Sequence, residues 1–380
     1  MSFFDKFHIG AYCLGATART EEHVRELAEC GIDTLFAVNA DSALLDLLYQ
    51  YGVGAVVNGV VPGWFGADGK NAGTMHELNS IETYRERACA FRDHPAIVGI
   101  DIGDEPSALD LPHYGRVVEL LKEHLGDKLL YLNLYPSYGM LASAGKEQAT
   151  RELGRATYRE YLTAYRDNVQ LPYVSIDHYP YSSDFPTFLC DLGEASAVAK
   201  SCGRHLMVVL QVNSHDPTVC LSADQLRLQA WCAMAYGARS ISWACYSPGW
   251  WHNCVLDKSG DKTEQYAKLK EVNQQLRHYV DASTGYTHRC AEILRAGDVL
   301  CCATCSLRAD GDILVGRFSA TDGREALLGV PLDPGKELTV TVNAEQNSAI
   351  SVITDSEVRR VQGEKIDLTV KKPPVFIYSE

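Results

Sequence analysis

Eight apolar segments alternate with eight amphipathic segments along the chain, and this alternation limits the folds that it can adopt. The apolar segments cover residues 8–14, 32–38, 54–61, 96–103, 129–135, 173–179, 205–212 and 240–246. Most are apolar at nearly every position, as is typical of strands buried on both faces of a parallel sheet. Eight strand–helix units within roughly 285 residues match the count and size of a (β/α)8 barrel.

A doubly wound open sheet is the alternative fold for such an alternating pattern. That fold normally carries a glycine-rich phosphate loop after its first strand, whereas AYCLGATART (11–20) contains a single glycine. We therefore predict the α/β class, with a (β/α)8 TIM barrel as the first domain, residues 1–285.

The last part of the chain has a different residue pattern. DILVGRFSA, ELTVTVNA and VFIYSE are short runs of strand-forming residues, and Asp-Gly and Asp-Pro-Gly turns lie between such runs. This pattern predicts a small C-terminal antiparallel β-sandwich domain, residues 286–380.

Composition narrows the range of partners. The net charge of −14 argues against nucleic acid or an anionic membrane surface as a partner. The longest apolar stretches, roughly ten residues, reach about half of what a membrane-spanning helix needs. No secretory signal is recognisable, so we expect a cytoplasmic protein whose cysteines are reduced thiols.

The cysteine pattern gives little sign of a metal site. CCATC (301–305) contains one Cys-x-x-Cys and lacks a second Cys or His pair at metal-ligand spacing. We interpret these residues as small thiols on a strand of the C-terminal domain, and we expect neither a metal nor a cofactor.

Polar and aromatic residues occur where the predicted barrel strands end. In (β/α)8 barrels these C-terminal strand ends and the following loops hold the reacting groups. Amide, carboxyl and aromatic side chains suit a neutral, polyhydroxylated ligand, so we expect a carbohydrate substrate. The predicted substrate-binding residues are Asn39, Asn58, Asp101, Asn133, Tyr135, His178, Tyr179, Gln211, Asn213, Trp243, Tyr246 and Trp250. The aromatic stretch 246–251 is also a candidate contact for a homo-oligomer.

Strand 4 ends in GIDIGDEPS (99–107), which places three acids within five positions. In an extended strand Asp101 and Glu105 share one face, so both are expected to point into the barrel mouth. Asp104 is then expected to turn toward the loop. Pro106 disfavours helix at Glu105 and fixes the exit of the chain.

The chain resembles the (β/α)8-barrel glycoside hydrolases at three segments. HPAIVGIDIGDEPS (94–107) is similar to the strand-4 signature of the large retaining clan that includes many β-galactosidases and cellulases. In that clan strand 4 ends in Asn-Glu-Pro and its Glu is the general acid/base, which implies that role for Glu105. YVSIDHYPY (173–181) resembles the clan's strand 6, and AYGARSISWACYSPGWW (235–251) resembles its strand-8 region.

Two positions depart from the clan pattern. Asp104 stands where the clan usually has Asn. Strand 7, where the clan carries its nucleophilic Glu, offers Gln211 in MVVLQVNSHD (207–216). A neutral amide does not attack an anomeric carbon to form a glycosyl-enzyme, so the clan mechanism does not transfer directly.

The second catalytic group therefore stays open at the level of sequence. Asp104–Glu105 resembles the Asp-Glu pair of substrate-assisted hexosaminidases, in which Asp orients the 2-acetamido group of the substrate and Glu protonates the leaving oxygen. Alternatively, Asp177 or Asp101 supplies the second carboxylate.

We predict a glycoside hydrolase that cleaves short oligosaccharides or glycosides, with Glu105, Asp104 and Asp177 as its catalytic residues. The alternatives are a catalytically inactive carbohydrate-binding barrel and a metal-dependent hydrolase, the latter disfavoured because His178 and His215 are isolated in sequence.

Overall fold

The structure, a computed structural model, describes residues 3–39, 41–62, 72–78, 81–91, 93–140, 153–249, 251–283, 285–333, 335–354 and 358–379. The chain divides into two compact units. One comprises Met1–Leu221 with Arg239–Asn273, and the other comprises Ser222–Ala238 with Gln274–Glu380. The predicted domain boundary between residues 285 and 286 stays a prediction.

Eight parallel strands form the barrel of the first unit. They are β1 (His8–Tyr12), β2 (Thr34–Val38), β3 (Gly54–Val57), β4 (Ile97–Asp104), β5 (Leu129–Asn133), β6 (Tyr173–Asp177), β7 (His205–Gln211) and β8 (Ala238–Ala244). Their order in the sheet is β5-β4-β3-β2-β1-β8-β7-β6. A parallel bridge between Leu134 and Ile176 joins the two ends of this sheet, with Leu134 N–H donating to Ser175 O at 3.0 Å. The predicted (β/α)8 barrel is confirmed.

A helix occurs in each of the eight predicted amphipathic segments, which cover residues 20–31, 41–52, 81–94, 111–126, 157–169, 191–203, 222–238 and 262–280. The described helices are α1 (Glu21–Glu29), α2 (Ser42–Gln50), α3 (Met75–Leu78), α4 (Ile81–Phe91), α5 (Leu111–Leu125), α6 (Tyr158–Asn168), α7 (Phe185–Ser201), α8 (Ala223–Ala235) and α9 (Glu264–Ala282). Short polar side chains cap several N-termini. Thr157 and Ser222 form capping boxes with Glu160 and Gln225, respectively, which satisfy backbone N–H groups that the first helical turn leaves unpaired.

Most predicted strands extend beyond the observed ones at the C-terminal end. Strand β3, for example, ends at Val57 rather than residue 61, although Val60 and Val61 are buried. The cause is that the loops following the strands also bury apolar residues. Hydrophobicity therefore marks burial here and does not mark where the extended backbone ends.

The second unit contains two antiparallel sheets. Its strands are β9 (Tyr286–Leu294), β10 (Val299–Cys301), β11 (Cys305–Ala309), β12 (Ile313–Ala320), β13 (Glu325–Pro331), β14 (Leu338–Ala344), β15 (Ala349–Ile353), β16 (Val358–Gln362), β17 (Lys365–Val370) and β18 (Val375–Ser379). One sheet has the order β10-β11-β14-β17 and the other β16-β15-β18-β13-β12-β9. Leu307 and Val340 from the first sheet share a core with Val315 and Ile350 from the second. The predicted β-sandwich is confirmed.

Helix α8 belongs to this second unit, although it connects β7 to β8 along the chain. Its C-terminal turn approaches β12 so closely that a Cβ at Gly316 would lie 2.3 Å from Ala235 O. Only glycine fits there without a backbone shift. Among the described residues no helix is both long and apolar enough to cross a membrane.

Candidate active site

A β-bulge near the end of β4 decides where its acids point. Asp101 pairs with Tyr131 of β5, but Gly103 pairs with Leu132 and Asp104 with Asn133, so β4 carries one extra residue at this step. A bulge shifts the alternation of side chains by one position. The expectation that Asp104 turns toward the loop is therefore wrong, because its carboxylate accepts a hydrogen bond from Asn133 Nδ2 at 3.2 Å.

Glu105 stands where the strand ends in an unusual backbone conformation. Its φ of +45° lies in the left-handed region that side chains rarely adopt. Its N–H donates to Asn133 O at 3.0 Å, and the carbonyl of the next residue, Pro106, accepts from the Tyr161 hydroxyl at 2.8 Å. Such strain persists only where surrounding contacts fix the backbone, and it often marks functional sites.

Asn133, at the end of β5, links two of the acids. Its Nδ2 donates to Asp104 Oδ1 at 3.2 Å and to Asp177 Oδ1 at 2.9 Å. Its Oδ1 accepts from the buried Ser175 hydroxyl at 3.2 Å. Because Ser175 fixes which end of the amide is the acceptor, both N–H groups of Asn133 are directed at carboxylates.

The carboxyl groups of Glu105 and Asp177 lie close enough for Asp177 to raise the pKa of Glu105. A neighbouring carboxylate disfavours the ionised form of a carboxyl group. Desolvation raises the pKa of Glu105 well above its usual value, and the charges of Asp177 and Asp104 raise it further. Desolvation also raises the pKa of Asp177 to about 7, opposed by hydrogen bonds from Asn133 and Tyr179. Burial and neighbouring charge thus disfavour the ionised form of Glu105, and Asp177 titrates near neutral pH.

Asp101 and Asp104 also have raised pKa values. Desolvation and then the charge of Asp104 raise the pKa of Asp101 to about 8, although Gly103 N–H donates to its Oδ1 at 3.0 Å. Desolvation raises the pKa of Asp104, opposed by the hydrogen bond from Asn133. Asp101 is thus protonated at neutral pH, which makes it a poor candidate for an anionic second group.

A chain of hydroxyl groups leads to Asn133 from the barrel interior. Ser175 gives its proton to Asn133, so Tyr131 donates to Ser175 Oγ at 3.1 Å, and Tyr12 in turn donates to the Tyr131 hydroxyl. Tyr12 and Tyr131 both have strongly raised pKa values, chiefly through burial. Near neutral pH these phenols are therefore neutral hydrogen-bond donors.

Sequence reasoning missed Tyr12, Tyr131 and Ser175. A signal was present, because Tyr131 and Ser175 each stand two residues before a predicted site residue on the same strand and thus share its face. Tyr138 was also missed. The charges of Asp177 and Glu105 contribute to its raised pKa, after desolvation, which places its hydroxyl near these acids.

Gln211, the residue at the clan's nucleophile position, is fully buried at the end of β7. Its Nε2 donates to Ser182 Oγ at 2.8 Å and to Asn213 O at 2.9 Å, and its Oε1 accepts from Tyr181 N–H at 2.9 Å. The amide therefore fastens the segment after β6 to the end of β7. A contact between Gln211 and substrate stays a prediction.

His178 has partners within the protein at both ring nitrogens. Nδ1 lies 2.8 Å from Asp191 Oδ2, and Nε2 lies 3.0 Å from Ser183 Oγ. The Ser137 N–H also donates to Asp191 Oδ2, at 2.9 Å. Within the described residues no group of three or more His, Cys, Asp or Glu side chains is arranged to hold a metal ion.

The remaining predicted substrate-binding residues differ in exposure. Asn39 is exposed after β2, and Asn58 is half-buried after β3. Tyr179 is half-buried, and its ring contacts that of Trp251 edge-on at 5.1 Å. The buried members are Tyr135, Asn213, Trp243 and Tyr246, of which Trp243 donates to Asn273 Oδ1 at 2.9 Å. Trp250 lies outside the described residues, and substrate contacts for all of these stay predictions.

Comparisons with known proteins support the fold. No protein-family model and no curated protein matches the sequence. A candidate α-L-fucosidase from Bacteroides thetaiotaomicron VPI-5482 aligns over 74% of this chain and 98% of its own, with 10% identity and a TM-score of 0.50. The chain has the fold of the (β/α)8-barrel glycoside hydrolases.

Two further solved structures align over nearly the whole chain. A glucosidase from Croceicoccus marinus covers 97% of this chain and 81% of its own, with 11% identity and a TM-score of 0.49. An arabinofuranosidase from Xanthomonas axonopodis pv. citri covers 94% and 89%, with 11% identity and a TM-score of 0.49.

Proposed function

We propose that this protein is a glycoside hydrolase in which Glu105 is the general acid and Asp177 is the second carboxylate. The observation that carries the proposal is the cluster of Asp104, Glu105 and Asp177 at the C-terminal end of the barrel strands, in which Asn133 donates to Asp104 and Asp177 and the charges of both aspartates raise the pKa of Glu105. Glycoside cleavage requires a proton donor for the leaving oxygen and a second group for the oxocarbenium-like centre. The pair provides one protonated and one ionisable carboxyl group.

Glu105 suits the role of proton donor for a physical reason. Its side chain is largely desolvated and lies beside Asp177 and Asp104, so its ionised form is disfavoured and its pKa is raised. A carboxylic acid that stays protonated near neutral pH transfers its proton to the leaving oxygen when the glycosidic bond breaks. After transfer, the Glu105 carboxylate is available to activate water for the second step.

Asp177 is the better second group on three grounds. Its charge raises the pKa of Glu105, its own pKa of about 7 allows it to ionise, and hydrogen bonds from Asn133 and Tyr179 stabilise its ionised form. Inverting enzymes need carboxyl groups roughly 6.5–9.5 Å apart to admit a water, whereas retaining enzymes need only about 5–5.5 Å. The effect of Asp177 on the pKa of Glu105 favours the shorter of these separations, so we infer retention of anomeric configuration with Asp177 as nucleophile.

Asp104 supports a second route, also retaining. Its carboxylate faces the barrel interior beside Asn133, a place from which it would orient the N–H of a 2-acetamido group. In that case the acetamido oxygen of the substrate is the nucleophile, and Asp177 keeps the pKa of Glu105 high. The two routes make different predictions for the substrate and for Asp177.

The test is hydrolysis of a panel of aryl glycosides, with and without a 2-acetamido group, by four proteins. These are the wild type, Glu105→Gln, Asp177→Ala and the matched control Glu123→Gln, whose side chain is exposed on α5. We expect Glu105→Gln to lower kcat at least ~100-fold, the lower end of the contribution of general acid–base catalysis, and Glu123→Gln to leave it unchanged.

Azide distinguishes the two routes. If Asp177 is the nucleophile, azide added to Asp177→Ala restores turnover and yields a glycosyl azide of inverted configuration. Activity confined to 2-acetamido sugars, without azide rescue, favours the Asp104 route. A Glu105→Gln rate within threefold of the wild type, or an inverted product from the wild type, would overturn the proposal. Wild-type protein that binds a sugar from the panel without cleaving it would indicate a carbohydrate-binding barrel.

A further inference from the structure

Cys302 and Cys305 face each other across the tight turn between β10 and β11. The Cys302 N–H donates to Cys305 O at 2.9 Å, which closes a two-residue turn of Ala303 and Thr304. The two Sγ atoms lie 3.3 Å apart. Opposed residues of an antiparallel pair have Cα atoms about 4.5–5.5 Å apart, within the span that a disulfide bridges.

The two thiols lie in different surroundings. Cys305 is 2% exposed and belongs to the core of the β-sandwich, whereas Cys302 is partly open to solvent. When Cys302 is protonated its thiol donates to Cys305 O at 3.1 Å. When it is ionised it accepts from the Cys305 thiol and from the N–H groups of Thr304 and Cys305, and these contacts lower its pKa to about 6.

We propose that Cys302 and Cys305 form a reversible dithiol–disulfide site that reacts with low-molecular-weight disulfides. Cys302 is the attacking thiol, because it is accessible and largely ionised at neutral pH, and the thiolate is the nucleophile in this exchange. Cys305 is the resolving thiol, because it is buried and in contact with Cys302 Sγ.

The exchange balances in two steps. The Cys302 thiolate attacks one sulfur of the disulfide RSSR, forms Cys302–S–S–R and releases RS⁻. The Cys305 thiol then loses its proton to RS⁻ and attacks Cys302 Sγ, which releases a second thiolate that takes up the proton lost earlier by Cys302. The sum is RSSR plus two protein thiols giving one protein disulfide plus two RSH, with the protein oxidised and RSSR reduced.

The structural consequence is local. Strand β10 has only three residues and forms an edge of its sheet, and the disulfide ties it covalently to β11. The sulfur atoms need to approach from 3.3 Å to about 2.05 Å, a movement that rotation of the two side chains supplies.

The test uses the full chain, with oxidised and reduced glutathione as the probe. After equilibration the protein is acid-quenched, alkylated and digested with trypsin, which releases residues 296–308 as one peptide. The matched variant is Cys301→Ser, which removes the exposed neighbouring thiol and leaves the pair intact. We expect its peptide to lose two hydrogens and resist alkylation after oxidation, and to regain two alkylation sites after dithiothreitol.

A second readout follows the reactivity of Cys302 alone. We expect its rate of alkylation by iodoacetamide, read from the same peptide, to reach half its plateau near pH 6. Cys305→Ala removes the donating thiol and is expected to move this midpoint to higher pH. If that variant does not fold, the pH dependence of Cys302 alkylation in the wild-type protein still tests the proposal.

Two results would overturn the proposal. One is a Cys301→Ser peptide that stays fully alkylated, or carries glutathione without closing, in excess oxidised glutathione. The other is a Cys302 alkylation rate that still rises steeply at pH 8. Neither outcome depends on whether the barrel hydrolyses glycosides.

Discussion

The ends of β4 and β7 belong to the same barrel, but their polar side chains are partnered in opposite ways. At the end of β4, desolvation raises the pKa of Asp104, and desolvation together with the charges of Asp177 and Asp104 raises the pKa of Glu105. At the end of β7, Gln211 is fully buried and donates and accepts hydrogen bonds at every polar atom of its amide. The end of β4 therefore has several carboxyl groups that compete for few donors, whereas every polar atom of the Gln211 amide at the end of β7 has a hydrogen-bond partner.

This contrast shows which strand end is available for chemistry. A side chain whose hydrogen bonds are complete within the protein has nothing to offer a substrate without first breaking them. Carboxyl groups that lie close together have raised pKa values, so one of them can keep a proton and donate it to a substrate. In the proposed function the second carboxyl group is that of Asp177 on β6, whereas Gln211 on β7 fastens the loop after β6.

The largest expected effect comes from giving β7 the acid that the retaining clan carries there. Gln211→Glu removes the N–H donors to Ser182 Oγ and Asn213 O, so we expect the free energy of unfolding to fall by roughly 2–5 kcal/mol. We expect no gain in glycosidase activity. Urea denaturation followed by tryptophan fluorescence measures the first effect, with Ser182→Ala as a milder control that removes one partner. Increased turnover in Gln211→Glu would show that the β7 end still supports catalysis.

The next effect concerns the link between the acids. Asn133→Leu removes hydrogen bonds to two carboxylates, and we expect kcat to fall roughly 10- to 100-fold. The same loss raises the pKa of Asp177, which must be ionised, so the acidic limb of the pH–rate profile moves to higher pH. Ser175→Ala, which only frees the Asn133 amide to turn, should show a smaller change in the same direction. An unmoved acidic limb in Asn133→Leu would contradict this role.

A smaller effect tests how neighbouring charge holds the proton on Glu105. Asp104→Asn removes a negative charge that disfavours ionised Glu105, so the pKa of Glu105 falls. We expect the basic limb of the kcat profile to move to lower pH by at least about half a unit. The profile is measured on a glycoside with an alkyl leaving group, which needs full protonation. An unmoved basic limb would mean that Asp104 is not charged in the working enzyme, and a shift to higher pH would contradict the assigned role.

The smallest effect is on stability. Between the usual carboxyl range and about 8, Asp101 keeps a proton in the folded state that the unfolded chain has already lost, so its contribution to stability falls as pH rises. Asparagine does not titrate, so Asp101→Asn removes this pH-dependent loss of stability. We expect its Tm to gain roughly 2 °C or more on the wild type between pH 5 and pH 9. The exposed Asp46→Asn is the control, and a gain that shrinks with rising pH would contradict the assignment.

The sequence was sufficient for the fold but only in part for the site. Alternating apolar and amphipathic segments specify eight strand–helix units, because both periods are strong and repeated. The position rule for barrels also singled out Glu105, Asp104 and Asp177 as acids at strand ends. The proximity of Asp177 to Glu105 was beyond sequence reasoning, since these residues are 72 positions apart in the chain and the fold brings their strands together.

Gln211 illustrates a second limit. Its type and position identify a departure from the clan, but they do not say what the amide does. Its partners, Tyr181 and Ser182, lie in the loop after another strand, and nothing in the spacing of the residues announces these contacts.

The bulge in β4 has a consequence for comparing this chain with distant relatives. Up to Asp101 the residues of β4 pair one-to-one with those of β5, and from Gly103 onward the pairing register is shifted by one residue. In a relative that lacks the extra residue, the side chains that follow this point in β4 would face the other side of the sheet, even if all the remaining residues were identical. Residues 97–101 and 103–105 should therefore be aligned as separate blocks, with a gap permitted at Ile102. An ungapped alignment would equate side chains that point in opposite directions.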